Sequence, residues 1–286
     1  MSLSHMLQHY THATRDPRYL AFVRIIVGCA ALLAGLETYG VLWRISRPGL
    51  IVLPVLPWVP RLEPGLIAPL ATTWLICAVL FTIGLWARAA GLTLAGVIGY
   101  LLLSDQQVYS NHLYLLGLVV LLTALGACGA AWSLEARGRA PVVAVPGWPA
   151  LLVQLQITAV YLFGGLSKLN ATYLSGAVLA AQPGILAGVE RLPGAPDTWL
   201  AILATGSIAV ELLIAVGLWL PRWRVMAVLL GALLHGTIIV TMGDSLASAW
   251  QLTVFALTIM APYALFFAPP TRPTSPGAAT LAPHRP

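Results

Sequence analysis

Long apolar stretches, interrupted by short polar ones, run through almost the whole chain. Counting about 20 apolar residues per membrane crossing gives eight candidate spans: Tyr19 to Tyr39, Leu66 to Trp86, Ala89 to Leu103, Leu113 to Ala131, Trp148 to Leu166, Trp199 to Leu220, Val225 to Met242 and Leu246 to Phe267. The third, near fifteen residues, is the shortest and the weakest of the eight. Two apolar stretches break the helical pattern. The run Pro48 to Pro60 carries too many prolines to cross as a helix, and Asn170 to Pro196 mixes glycine, proline and alanine. Irregular backbone at membrane depth is tolerated only when buried in protein or lining a cavity, so both are expected to lie against the bilayer or to cap a cavity. The pattern predicts an all-α integral membrane protein: a polar segment over 1–18, a polytopic helical domain over 19–268, and a proline- and threonine-rich tail over 269–286 expected to be disordered.

Composition agrees. Of 286 residues 59% are hydrophobic and 8% charged, against roughly 25% charged in ordinary globular domains. Residues 1–18 lack the charged head, short apolar run and small-residue cleavage site of a signal peptide, so the first span is expected to be retained. The formal charge of +6 comes from arginines spread over several loops. They form no block for nucleic acid, and topology accounts for them. With eight spans, the termini and even loops hold Arg15, Arg18, Arg88, Arg137, Arg139, Arg222, Arg224, Arg272 and Arg285 against only Asp16 and Glu135. By the positive-inside rule the termini face the cytoplasm across a plasma membrane, and the loops carrying Asp105, Lys168 and Asp244 face outward. Cys29, Cys77 and Cys128 stand singly in apolar segments, with no paired spacing for a metal or a redox disulfide.

Ionisable side chains inside spans are costly and mark function or pairing. Here they are Arg24, Glu37, Glu211 and His235. Arg24 is expected to snorkel to the interface. Glu211 is too deep for that and needs a proton or a partner, with His235 or an arginine the expected one. Among fifteen cations Lys168 is the sole lysine. An amine near a low-dielectric region can give up its proton and act as a base, whereas a guanidinium cannot. Counting back in sevens from Lys168 reaches Tyr161 and Gln154, a polar stripe expected to look into the bundle. Asp105-Gln-Gln-Val-Tyr-Ser-Asn111-His112-Leu-Tyr114 enters the fourth span from the same membrane face.

Ser110-Asn-His-Leu-Tyr-Leu-Leu-Gly117, Trp132-Ser-Leu-Glu135, Gln156 and Tyr161-Leu-Phe-Gly-Gly-Leu-Ser-Lys-Leu-Asn170, with Gly176, occur in this order. Glu211-Leu-Leu, Pro221-Arg-Trp-Arg224 and Leu234-His235 follow. Together they resemble the membrane core of the vitamin K-dependent gamma-carboxylase family, whose bacterial members are called horizontally transferred transmembrane domain proteins. The resemblance runs from about Arg15 to Phe267. It implies a membrane enzyme that deprotonates a reduced naphthoquinone (vitamin K or menaquinol), adds O2, and uses the strong base so formed to remove a proton from a peptide glutamate that captures CO2. The family's catalytic lysine and histidine match Lys168 and His112. Asn111 lies in the same block as an oxyanion donor, and Tyr114, Asp105, Tyr161, Glu211 and His235 line or polarise the site. No metal is implied.

Two departures bear on the acceptor. The chain ends soon after its last span, without the large luminal domain that grips a protein substrate, so a peptide acceptor would be held by loops or by a partner. Ser110 replaces an asparagine of the family's pattern, and Tyr173 stands near the place of its tryptophan-containing stretch. Two other classes stay open: a quinone-binding or accessory membrane subunit without carboxylase activity, and a transporter or Schiff-base pigment built on Lys168. Against the last stand the helix-end position of Lys168, the lack of an acid four or seven residues away, and the lack of an internal repeat.

Overall fold

A computed structural model describes residues 13–45, 47, 51 and 53–271. The expected tail beyond Thr271 and the segment before Ala13 lie outside the described residues, as do Pro48 to Leu50. The long helices are α1 (Pro17–Ile45), α2 (Pro64–Ile83), α3 (Ala87–Ser104), α4 (Asn111–Ala124) and α5 (Trp148–Ser167). Three short helices follow, α6 (Ala171–Leu174), α7 (Ala177–Ala180) and α8 (Pro183–Val189), and then α9 (Pro196–Gly217), α10 (Arg224–Met242), α11 (Leu246–Met260) and α12 (Tyr263–Phe267). Local chemistry sets many of the ends. Proline occupies the first turn of α2, α5, α8 and α9, where its missing N–H costs nothing. Ser110, Asn170 and Ser245 cap α4, α6 and α11 with side-chain oxygens, satisfying N–H groups that the helix leaves open.

Seven helical stretches are long and apolar enough to cross a membrane. The eighth expected span is the exception. Its helix, α4, has only 14 residues, about 21 Å at 1.5 Å per residue, short of a bilayer core of about 30 Å. The weak point of the span count is thus the fourth segment, because the third extends to 18 residues. Yet α4 must carry the chain across. Three two-residue strands, β1 (Thr14–Arg15), β2 (Val145–Pro146) and β3 (Pro270–Thr271), form one small sheet with β1 in the middle. The start of α1, the entry to α5 and the exit from α12 therefore meet at one end, called here the sheet end. An even number of passes must separate 15 from 145, and α1 to α4 supply four. Between 146 and 270, α5, α9, α10 and the α11–α12 pair supply four more. Both described ends of the chain thus lie on one side, and the opposite end of the bundle, the far end, carries His112 and Lys168.

The shortness of α4 is made good by an ordered loop, and Arg24 holds it. Arg24 is fully buried, 0% exposed, and does not snorkel. Its guanidinium donates to Cys128 O at 3.2 Å and to Trp132 O, carbonyls of the turn-rich segment that follows α4. Loop N–H groups of Leu134 and Glu135 bond back to Ile83 O and Gly84 O, and the Glu135 carboxylate accepts from Ala87 N at 2.8 Å, capping α3. Gly84, in the left-handed region at φ 72°, ends α2 directly beside the guanidinium, so a side chain there would collide with Arg24. The cause is the apolar surroundings: carbonyls leaving a helix short of the interface must find a donor inside the protein, and a guanidinium offers several in a fixed fork.

At the far end, residues 53–60 are non-helical, as the prolines require, and are tied to the α3–α4 turn through Val55 N to Leu103 O and Gln106 N to Leu53 O. The 170–196 region is less irregular than expected, since its apolar residues fold into α6, α7 and α8. These pack on the first half of α9 through a small core of Tyr173, Leu179, Val189, Leu200, Ala204 and Ile208. Gly176, at φ 83°, lies so close to Leu200 that a β-carbon has no room. The three helices thus form a cap beyond the end of α5, and α9 descends from that cap into the bundle.

Replacing Arg24 by leucine orphans the Cys128 and Trp132 carbonyls. It is expected to cost about 3 kcal/mol, read as a lowered midpoint of thermal unfolding in detergent, whereas a control at exposed Arg222 leaves the midpoint unchanged.

Candidate functional site

Four ionisable side chains from four helices form two close pairs in the interior. Lys168, at the C-terminal end of α5, places Nζ 2.6 Å from Glu211 Oε1 on α9. Its side chain keeps 28% exposure against 11% for Glu211. The deep carboxylate therefore has a partner, but the partner is the sole lysine and neither His235 nor an arginine. The pairing follows from helix direction. Because α9 starts in the cap, well beyond the end of α5, fifteen residues of descent bring Glu211 level with Lys168. Gly164 and Gly165 of α5 let α9 approach: a β-carbon at 164 would stand 3.3 Å from Glu211 Oε2, and one at 165 would stand 3.1 Å from Leu212. Glu211 Oε2 is buried without a hydrogen-bond partner. The ring of Tyr173 lies 5.6 Å from Lys168 Nζ, within reach of a cation–π contact.

The second pair is His112 with Glu37. His112, near the N-terminus of α4 and 5% exposed, has Nε2 3.2 Å from Glu37 Oε2 on α1. Neither atom makes an aligned hydrogen bond, so this is a close approach of charges rather than a directed bond. The other Glu37 oxygen accepts from Gln251 Nε2 of α11 at 2.6 Å. Among the described residues no hydrogen bond or ion pair joins the His112 pair to the Lys168 pair, although α4 packs on α5 and on α1.

The stripe of sevens on α5 does look into the bundle. Gln154 is buried and donates to Leu265 O at 3.1 Å. Tyr161 is buried, its hydroxyl 2.6 Å from His235 Nε2 on α10 and bonded to the Tyr263 hydroxyl on α12. Gly231 makes room for that hydroxyl, since a β-carbon there would overlap it. Thus spans one, four, five and six carry Glu37, His112, Lys168 and Glu211, and spans seven and eight add His235, Gln251 and Tyr263.

The other expected residues sit differently. Asp105 is buried but caps the short turn Gln106–Val108 by accepting from Gln107 N, a local task. Asn111 is exposed and accepts from the Tyr109 hydroxyl. Tyr114 is about half exposed, with its ring 6.2 Å from that of Tyr109. These three lie around the entry to α4, and neither charged pair includes them. Missing from the expected set were Glu37 as the partner of His112, and Gln251 and Tyr263. Gln251 carried a signal, an amide in the middle of an apolar span. Tyr263 carried none, because only folding past the Ala261-Pro262 break aims it inward. The described cavities that exceed 400 Å³ lie at the sheet end.

A polytopic all-α membrane protein with paired charges in its interior is the class that fold and site define. The HTTM domain family model matches residues 12–270, nearly the whole chain, and the chain belongs to that family. No curated protein and no solved structure matches it.

Because Lys168 is the sole lysine, a membrane-impermeant amine reagent reports on it alone once the N-terminal peptide is set aside. Peptide mapping is expected to find Lys168 modified from the outer face of intact cells. Glu211→Gln, which removes the carboxylate that holds the amine, is expected to raise the labelling rate several-fold.

Proposed function

We propose that the chain is a quinol-oxidising membrane enzyme of the vitamin K-dependent gamma-carboxylase type. In this reading the Lys168–Glu211 pair is the proton acceptor for a reduced naphthoquinone, vitamin K or menaquinol. The observation that carries the proposal is the 2.6 Å Lys168–Glu211 contact, with one carboxylate oxygen left without a partner. Membership of the HTTM family supports it.

The residues suit such a ligand. A naphthoquinol is an apolar aromatic body with a phenol-like hydroxyl, arriving from the lipid. Around Lys168 the α5 end exposes Phe163, Leu166 and Leu169 to the surroundings, which offers an apolar approach to the amine, and the Tyr173 ring provides an aromatic wall. The orphan Glu211 oxygen is an acceptor that a hydroxyl proton would satisfy. When bound, the quinol supplies the reducing equivalents for O2, and its oxygenation yields the base for carboxylation of a peptide glutamate with CO2.

The protein's own part is proton handling. In this reading Lys168 passes a proton to Glu211 across the 2.6 Å contact as the quinol arrives. The state with a neutral amine and a protonated carboxyl presents a base to the incoming hydroxyl. After transfer, the ammonium remains beside the oxyanion and stabilises it. His112, held by Glu37 and Gln251, and Asn111 are the further donors of this reading. The Tyr173 ring of α6 lies over one side of the amine.

The test uses purified protein, reduced menaquinone and oxygen, with epoxide measured by mass spectrometry. Lys168→Arg keeps a cation opposite Glu211 but cannot take a proton, and it is expected to lower the rate about 100-fold or more. Retained oxidation in folded Lys168→Arg would exclude the base role, and absence of epoxide from the wild type would favour an accessory subunit.

A further inference from the structure

We infer that Tyr161, His235 and Tyr263 form a proton relay behind the Lys168–Glu211 pair, with His235 as the group that finally holds the proton. This rests on the proposed function and says where the proton goes once Glu211 has taken it. The three side chains come from α5, α10 and α12, and all are buried. The Tyr161 hydroxyl stands between the other two, 2.6 Å from His235 Nε2 and bonded to the Tyr263 hydroxyl. A hydroxyl can accept one proton while giving up another, so Tyr161 can pass a proton on and end unchanged. Tyr161 lies seven residues before Lys168, about two turns along one face of α5, with Gly164 between them. The Glu211 carboxylate sits over that glycine: a β-carbon at 164 would stand 3.3 Å from Oε2 and 3.7 Å from Oε1. From there the Glu211 charge acts on Tyr161, and the Lys168 charge acts on His235.

Among the described residues no hydrogen bond joins the pair to the triad, because Lys168 holds the carboxylate by Oε1. Charge strengthens that hold. When Lys168 passes its proton to Glu211, both groups become neutral, the hold weakens, and the carboxyl is free to turn along α5 toward Tyr161. Its O–H bond then breaks as the proton passes to the Tyr161 oxygen, and the Tyr161 O–H bond breaks as its own proton passes to His235 Nε2. Glu211 is a carboxylate again, His235 is an imidazolium, and nothing is oxidised or reduced. Lys168, neutral until then, takes the quinol proton. Two cations, Lys168 and His235, then face two anions, Glu211 and the quinolate, so that no buried charge is left without a counter-charge. Tyr263 donates to the Tyr161 oxygen and keeps the phenol aimed at the imidazole, whose ring lies 5.8 Å from that of Phe255.

The experiment adds reduced menaquinone, without oxygen, to the full chain in detergent with its lysine and histidines labelled with 15N. The His235 resonances are those missing from His235→Gln. In the wild type the Lys168 resonance is expected to move and the His235 imidazole to shift to the imidazolium position, and oxidised menaquinone is expected to move neither. Tyr161→Phe is expected to keep the Lys168 movement and lose that of His235, whereas Tyr263→Phe keeps both. Lys168 that moves while His235 stays in the wild type overturns the relay and leaves the proton-accepting reading standing. So does a His235 shift that survives in Tyr161→Phe, or one that Tyr263→Phe abolishes as fully as Tyr161→Phe does. If neither residue responds in the wild type, the proton-accepting reading fails and the relay with it. Should Tyr161→Phe fail to fold, Glu211→Gln decides, since it keeps the triad and interrupts the path ahead of it: His235 that stays in place there supports the relay, and His235 that still shifts overturns it.

Discussion

A carboxylate fifteen residues inside an apolar helix is the constraint around which the far half of this protein is arranged. Glu211 can be there only because Lys168 reaches it, and Lys168 can reach it only because α9 begins beyond the end of α5. The cap of three short helices provides that head start, and Gly164 and Gly165 provide the close approach. Replacing a buried ion pair by apolar side chains is often neutral or stabilising, so stability alone does not account for the pair. Its partly exposed amine and unpartnered carboxylate oxygen are the features on which the proposed proton-handling role rests.

The same economy of polar groups appears three more times at different depths. Glu37 joins α1 to α4 and α11 through His112 and Gln251, and Tyr161 joins α5 to α10 and α12 through His235 and Tyr263. Arg24 joins α1 to the loop after α4. In each case a contact between segments distant in sequence engages polar groups that lipid cannot. These ties set the rotation of helices whose apolar faces are nearly featureless. Polarity inside the bundle therefore orients the helices, and of the two interior charge pairs described, Lys168–Glu211 is the one with the more exposed member, the lysine.

Much of this was legible in the sequence, for identifiable reasons. Apolar runs of about 20 residues gave eight crossings, because length and hydropathy are local properties. The sevens on α5 gave the inward stripe, because heptad spacing keeps one helix face. Pairings were not legible. Glu211 was assigned to His235 or an arginine, since the offset between α5 and α9 depends on a cap whose packing is non-local. Arg24 was expected at the interface, because nothing local reveals that α4 stops early and leaves carbonyls needing a donor. Asp105, Asn111 and Tyr114 clustered in sequence beside His112, yet only His112 turns into the bundle. A helix start sends neighbouring residues in different directions.

The central claim is that the Lys168–Glu211 pair takes the proton of a quinol. Lysine labelled with 15N and 13C places a single side-chain reporter in this chain, because Lys168 is the sole lysine. Its Nζ and Cε resonances, followed by NMR in detergent without oxygen, should move when reduced menaquinone is added and stay in place with the oxidised quinone or in Glu211→Gln. Resonances that ignore reduced menaquinone in the folded wild-type protein would contradict the account.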